Sequence, residues 1–315
     1  MCGRYKEFYM YDTIIIGGGP SGMTAAIYAS RARLKTLLIE KAGCGGQIAI
    51  TDHLENYPGF EQGINGFELA VKMETQAKAF GTEIVYGEVS SLQLTGETKK
   101  VVLANNKEYE TKTVIIASGA NFRKLGCPGE QEFIGKGVSY CATCDGPFFR
   151  NKEIAVVGGG DSALQEALYL TKFASKVNLI HRRNEFRAAK ILQEKVLAES
   201  KINIIYDSVV EEISGNSAGS VENVKLKNVK TGEVSQLAVN GVFVFVGWLP
   251  NTGFLKDSGI KLNDAGYIVT DDKMKTSLDG VFACGDVREK ILRQVVTACG
   301  DGAVAAISAQ HLLEE

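Results

Sequence analysis

The sequence predicts an α/β fold of two Rossmann-like domains, each a three-layer ββα unit, with one domain inserted in the chain of the other. Three observations carry that expectation. The run Gly17-Gly18-Gly19-Pro20-Ser21-Gly22 stands between a short apolar strand and an amphipathic helix. The run Gly158-Gly159-Gly160-Asp161-Ser162-Ala163 repeats the plan far down the chain. Beyond the second run, strand-like segments resume as they would if the second unit interrupted the first.

The first copy reads in order. Tyr11 to Ile16 is the strand, the glycine turn follows, and a helix is expected through about Arg31. A second strand, Thr36 to Ile39, ends in Glu40. Gly17 permits the tight turn, Gly19 lets the backbone approach a pyrophosphate, and Gly22 lets helix and strand pack closely. Glu40 lies eighteen residues after Gly22, where an acid can accept hydrogen bonds from a ribose diol.

The second copy begins at Glu153. Ile154 to Val157 is the strand, the helix is expected to about Lys172, and the next strand, Val177 to Ile180, ends at His181. From Ala163 to His181 is again eighteen residues, so His181 takes the place that Glu40 holds in the first copy. The acid is replaced by His181-Arg182-Arg183, with Arg187 one helical turn on. An acid would repel a 2′-phosphate, whereas arginines bind one through paired, charge-assisted hydrogen bonds. The pattern therefore points to NADPH at Gly158, Gly160, Asp161, Ser162, Ala163, His181, Arg182, Arg183 and Arg187.

The outer domain closes one stretch at Thr113 to Gly119 and resumes after Phe243 to Gly247. The expected boundaries are 10–118 and 249–315 for the outer domain and 119–248 for the insert, with residues 1–9 as an N-terminal extension. Gly280 to Asp286 reads as a strand ending in Gly-Asp, and a long final helix is expected from about Arg293 to Leu313. Segments rich in Val, Thr and Ile with charged turns near Gly96, Gly215 and Gly232 read as small β-meanders.

At 315 residues the chain can bury a core in each domain. A net charge of -2 gives nucleic acid or an anionic membrane no electrostatic reason to bind, so neither is expected as a partner. No apolar run reaches the length of a bilayer span. Met1 to Tyr9 lacks the apolar core of a signal peptide and is expected to be poorly ordered. Seven cysteines, an odd number without an export signal, fit a reducing cytoplasm. Cys2, Cys44, Cys127, Cys284 and Cys299 are expected to be buried as small hydrophobes.

Only Cys141 and Cys144 have redox spacing, and they fall in the insert, Cys144 fourteen residues before Gly158. A CxxC pair holds two sulfurs close enough to bond and commonly lowers one thiol pKa. Zinc would need four ligands, and no second pair exists; His53, His181 and His311 are scattered, so no metal is expected. Asp145 has two readings, a general acid for a departing thiolate or a helix N-cap before Gly146-Pro147. Two nucleotide units and one CxxC suggest electron flow from NADPH through FAD to a disulfide, with FAD in the first unit. Both the pair and the nicotinamide must reach one flavin, so the insert is expected to swing between two poses on the strands near Ser118 to Asn121 and Gly247 to Asn251.

The motifs together resemble a known family. Gly17–Gly22, Gly45-Gly46-Gln47, Glu55-Asn56-Tyr57-Pro58-Gly59, Cys141–Asp145, Gly158–Ala163, His181-Arg182-Arg183 with Arg187, Gly285-Asp286 and Arg293-Gln294 are similar to those of the low-molecular-weight thioredoxin reductases, class II pyridine nucleotide-disulfide oxidoreductases. The resemblance runs from Met10 to Leu313. It implies a homodimeric flavoprotein that reduces thioredoxin. It adds Pro20, Ser21, Lys41, Gly46, Gln47 and Asn56 to the FAD contacts, and further along the chain Val89, Ala117, Gly119, Gly285, Asp286, Arg293, Gln294 and Val295. It also implies that Cys144 faces the flavin and Cys141 attacks the thioredoxin disulfide.

Three residues depart from the family pattern: Trp248 where a histidine or tyrosine is frequent, Leu292 for a frequent tyrosine, and Cys44 before Gly-Gly-Gln. The rival readings are a reductase of another disulfide, such as a glutaredoxin-like protein or a small molecule, and a non-catalytic flavin redox sensor. The flavoprotein of a peroxide-reducing system would need an extra N-terminal domain pair. A ferredoxin-driven relative would lack the second nucleotide motif.

Overall fold

The computed structural model describes residues 10–51, 54 and 56–315. The N-terminal extension, Cys2, His53 and Glu55 lie outside the described residues. The chain divides into two compact units, cut between Asn121 and Phe122 and between Trp248 and Leu249.

The first unit opens with β1 (Met10–Ile16), which passes through the glycine turn into α1 (Pro20–Arg31) and returns as β2 (Thr36–Glu40). Pro20 occupies the first turn of α1, where its missing N–H goes unnoticed. Then come α2 (Gly66–Ala79), β3 (Glu83–Tyr86), β4 (Val89–Gln93), β5 (Lys99–Leu103), β6 (Glu108–Ile116) and the exit strand β7 (Ala120–Phe122). Asn65 caps α2 by accepting the Glu68 amide at 3.1 Å.

The second unit begins with β8 (Val138–Ser139) and the single turn α3 (Ala142–Asp145). Its nucleotide-type repeat is β9 (Glu153–Gly158), α4 (Asp161–Leu170), β10 (Lys176–Ile180), α5 (Lys190–Ala198) and β11 (Ile202–Ile205). An antiparallel meander follows, β12 (Ser208–Gly215), β13 (Val221–Asn228) and β14 (Val234–Ala238), before β15 (Gly241–Phe245). The strands run β11-β10-β9-β15-β8, all parallel. The chain then leaves through β16 (Trp248–Pro250), which pairs with β7, and completes the first unit with β17 (Val281–Ala283) and α6 (Val295–Glu314).

In the first unit, β3-β2-β1-β6 are parallel, β5 and β4 extend the sheet antiparallel, and β17 runs beside the end of β6. Ile14 to Ile16, Leu37 to Ile39 and Val114 to Ile116 are buried throughout, as expected for parallel strands covered on both faces. Alternation divides them between layers. Ile15, Leu38 and Ile115 pack with Met23, Ala70 and Ala305 of the helices, while Ile14, Leu37 and Val114 pack with Val101 and Leu103 of the meander side. The second unit repeats this with Val156 and Leu179 on the helix side and Ala155, Ile180 and Val224 on the meander side. Each unit is thus a helix layer, a parallel sheet and a β-meander. Among the described residues no helix is long and apolar enough to cross a membrane.

Two expected elements are shorter than the sequence suggests. α6 starts at Val295, because Gln294 is its N-cap in a reciprocal capping box with Thr297, which leaves Arg293 in the lead-in. β17 stops at Ala283, because Gly285 turns to φ +77° and starts a short 3₁₀ turn, Gly285–Val287.

α6 lies against α1 through small residues. A Cβ on Gly302 would come within 2.2 Å of the Ser21 carbonyl oxygen, whereas one on Gly300 would meet nothing within 4 Å. Gly302→Ala should therefore destabilise the protein by about 1–3 kcal/mol, by forcing the helices apart. Gly300→Ala should stabilise it by up to about 1 kcal/mol through helix propensity. Denaturant unfolding of the two variants checks the opposite signs.

Candidate active site

The first glycine turn is shaped by contacts that leave no room for side chains. Gly17 has φ +110°, and a Cβ there would lie 2.4 Å from the Ala117 carbonyl oxygen; one on Gly22 would lie 1.8 Å from the Gly17 oxygen. Gly19 instead faces open space. The helix start is therefore pulled onto the strand while one stretch of backbone stays bare, which suits a pyrophosphate. The Gly45-Gly46-Gln47 loop folds over the same turn: the Gly45 amide donates to the Gly18 carbonyl at 2.8 Å, and a Gly46 Cβ would stand 3.3 Å from Gly19 Cα.

Glu40, at the end of β2, accepts the Gly18 amide at 2.6 Å and the Ala42 amide at 3.1 Å. This fixes the carboxylate beside the turn. Lys41 is exposed and paired with Glu88 at 2.7 Å. Val89 packs against the core cluster that contains Ile16 and Ile39, two residues beyond Gly87, whose amide donates to the Glu40 carbonyl at 2.8 Å.

The other end of this site comes from the last third of the chain. Gly285 sits on the first turn of α1, its missing Cβ only 2.4 Å from Ser21 Oγ. Asp286 is half-buried, and desolvation pushes its carboxyl pKa up. Among the described residues, its Oδ1 and the Nε of Arg293 are both buried without a hydrogen-bond partner. Orphaned buried polar atoms are rare and call for a ligand. Arg293 stacks its guanidinium 4.3 Å from the Tyr267 ring centre. Asn56 donates to the Gln294 side chain at 3.0 Å, and Val295 opens α6. A bare glycine turn, a fixed acid beyond β2 and unpaired donors and acceptors at the Gly-Asp end fit FAD.

The second turn has the same build. A Cβ on Gly158 would fall 2.5 Å from the Phe245 carbonyl oxygen, while Gly160 faces open space. Ala163 is fully buried where the first unit has Gly22. The Asp161 side chain accepts the Ala189 amide at 2.7 Å, and the Arg187 amide donates to the Gly159 carbonyl at 2.9 Å. These bonds tie the arginine segment to the turn. Arg182, Arg183 and Arg187 are exposed.

His181 differs from its neighbours. It is 5% exposed, its ring fills the space where a Gly159 Cβ would be, 2.2 Å from that position, and its Nε2 lies 3.1 Å from the Glu185 carbonyl oxygen. The ring supports the turn from beneath, and the arginines carry the outward charge.

In the second unit, Cys141 and Cys144 form a disulfide across α3, with Cα atoms 5.3 Å apart. Cys141 is the N-cap: its Sγ accepts the Cys144 amide at 3.2 Å. Ser139 Oγ accepts the Cys141 amide at 3.1 Å. Asp145 stands at the N-cap of the following 3₁₀ turn, but its side chain makes no cap bond there.

The other thiols are less buried than expected. Cys284 is buried, but Cys44, Cys127 and Cys299 are half-buried, at the edges of the apolar clusters. Burial still pushes the Cys44 and Cys284 thiols up to about 12 and Cys127 to about 11. They stay protonated and unreactive at neutral pH.

Sequence reasoning missed a polar chain at the exit of the first unit. Gln47 donates to Asn121 at 2.9 Å, Asn121 to Asn251 at 2.9 Å, and Asn251 to the Ser118 carbonyl at 2.8 Å. It joins Gln47 to β7 and to the segment just after β16. No local motif could have shown it, since the partners are 74 to 133 residues apart.

Residues 11–302 match the family described as pyridine nucleotide-disulphide oxidoreductase. The chain belongs to that family. It is 52% identical over 310 residues to a thioredoxin reductase of Bacillus subtilis (strain 168), covering 98% of this chain and 97% of the relative. The crystal structure of thioredoxin reductase from Streptococcus pyogenes MGAS5005 is 52% identical, with a TM-score of 0.91 over 97% of this chain and 98% of that one. The Lactococcus lactis thioredoxin reductase, in a state described as the FR conformation, is 50% identical over 97% of this chain and 100% of that one, with a TM-score of 0.67.

The buried His181 has a consequence for stability. Burial, and then the neighbouring arginines, push its pKa below the ordinary 6.5. Between the lowered folded value and the ordinary unfolded one, the unfolded chain binds more protons, so stability falls as pH drops below about 6.5. His181→Gln should flatten that limb of the curve. Denaturant midpoints measured from pH 7.5 to 5 check it.

Proposed function

We propose that the chain is an NADPH-dependent thioredoxin reductase, in which residues 10–118 and 249–315 bind FAD and the insert 119–248 binds NADPH and carries the redox pair. The observation that carries this reading is the Cys141–Cys144 disulfide, set in the same unit as a glycine turn flanked by arginines. Relatives named thioredoxin reductase that match nearly the whole chain support it. When bound, FAD takes up a hydride from NADPH and passes two electrons to a disulfide.

The residues of the chain do the rest. Glu40, Asp286, Arg293 and Gln294 orient the flavin nucleotide, and Arg182, Arg183 and Arg187 hold the 2′-phosphate. Once the pair is reduced, the Cys141 thiolate attacks a sulfur of oxidised thioredoxin and forms a mixed disulfide. Cys144 then attacks Cys141, which restores the Cys141–Cys144 bond and releases the second thioredoxin sulfur as a thiol. Asp145 holds a proton for the departing thiolate.

The insert alternates between two poses on the linker strands. The protein works in the cytoplasm as a homodimer; Val296, Val304 and Ile307, apolar and exposed on α6, support a partner for that helix.

The purified protein should be yellow, and NADPH should bleach it. Thioredoxin added with a thiol-counting dye should then sustain turnover. Bleaching without thioredoxin turnover would point to another disulfide, and a flavin that NADPH leaves oxidised would point to a sensor. Cys141→Ser should abolish turnover and leave the flavin bound. Arg183→Ala/Arg187→Ala should lower the preference for NADPH over NADH by about a hundredfold, from two charge-assisted bonds of about 1.5 kcal/mol each. An engineered disulfide between the domains should stop steady-state turnover and spare flavin binding; unchanged turnover would reject the two-pose mechanism.

A further inference from the structure

A buried charge cluster lies under the Gly285-Asp286 turn. Asp301 on α6 accepts the Gly285 amide at 3.1 Å, Lys290 Nζ at 2.8 Å and Arg288 Nη1 at 3.4 Å. The side chains of Arg288, Lys290 and Asp301 are only 14, 7 and 12% exposed. Two cations share one anion there, and water does little to screen them.

Asp286 follows Gly285 directly, and its Oδ1 is buried with no hydrogen-bond partner among the described residues. Lys290 Nζ and the amide of Gly285, the residue before Asp286, bond the same Asp301 oxygen, Oδ2, which sets the ammonium beside the Asp286 turn, where it favours the charged form of Asp286. Released from Asp301, a buried ammonium needs a new partner, and the orphaned Asp286 oxygen is one. Arg288 is held a second time, its Nε donating to Thr270 Oγ1 at 2.7 Å. Among the described residues, Lys290 is thus the cation of this cluster that Asp301 alone restrains.

We infer that Asp301 is a positioning residue for the flavin: it holds Lys290 away from Asp286 and pins the Gly285 amide, so that Asp286 keeps a free carboxyl oxygen for a hydroxyl or N–H donor of FAD. This rests on the assignment of FAD to the first unit.

The test is the rate at which the purified holoenzyme releases FAD on dilution, read from the gain in flavin fluorescence, with thermal unfolding measured in parallel. Asp301→Asn keeps the size and an acceptor for Gly285 but frees Lys290, and it should release FAD about tenfold faster. Adding Lys290→Met to that variant removes the freed cation and should bring release back to within about threefold of wild type. A merely structural role for Asp301 would not yield this rescue. Release from Asp301→Asn at the wild-type rate, or a double variant as fast as the single one, would overturn the inference. Should Asp301→Asn not fold, the double variant alone decides: slow release supports the inference, and fast release overturns it. A wild-type protein that retains no flavin would overturn the FAD assignment itself, and the inference with it.

Discussion

Both nucleotide turns depend on backbone meeting backbone at distances that exclude a Cβ. At the first turn the strand end, the helix start and the β6 exit converge: Gly17 on Ala117, Gly22 on Gly17. The pile continues outward, because Gly302 of α6 rests on the Ser21 carbonyl and Gly285 rests on the Ser21 hydroxyl. One short segment of α1 is therefore held by residues from three distant parts of the chain. The same approach that fixes the fold leaves Gly19 bare, and a bare, donor-rich backbone is what an anionic cofactor needs. The contacts that hold the fold together here are the same ones that keep the Gly19 backbone open.

What was legible in the sequence follows from that constraint. Glycine at fixed spacing and two cysteines three apart are local signals, since each motif folds within a few residues of itself. The strand and helix periods gave the elements to within a few residues. Arg293 is an instructive exception: helical periodicity ran on into a residue that the capping box of Gln294 excludes from α6. His181 is another. Counting placed it opposite Glu40, but a count gives a position along the chain and not a side-chain direction. Glu40 reaches up to the Gly18 amide, and the His181 ring turns in beneath Gly159.

The long-range polar contacts were invisible for a different reason. Asn121 and Asn251 are ordinary polar residues until the fold brings them together, and Asp301 is one of two acids on α6. The partners of Asn121 lie 74 and 130 residues away, and those of Asp301, though only 11 to 16 residues away, belong to no repeat. Sequence patterns register the partners of a repeat. They do not register a single side chain whose partner is elsewhere.

The redox pair is singled out by what surrounds it as much as by its spacing. Burial keeps Cys44, Cys127 and Cys284 as thiols. Cys141 and Cys144 sit instead on one helical turn, both only partly buried. The segment leading into them is stiff: Tyr140 stacks on Phe122 at 4.6 Å, Phe122 meets Trp248 at 4.2 Å, and the Tyr140 hydroxyl donates to the buried Glu130 at 2.8 Å. Trp248, a departure from the family pattern, therefore has a packing role. Within the turn, the two sulfurs are unequal. The Cys144 amide points at Cys141 Sγ, and Thr143 Oγ1 lies 3.4 Å from the same atom. Both contacts fall on Cys141 Sγ, so the turn gives the two sulfurs different polar surroundings. Spacing marks the pair, but only the fold shows that its two members are not equivalent.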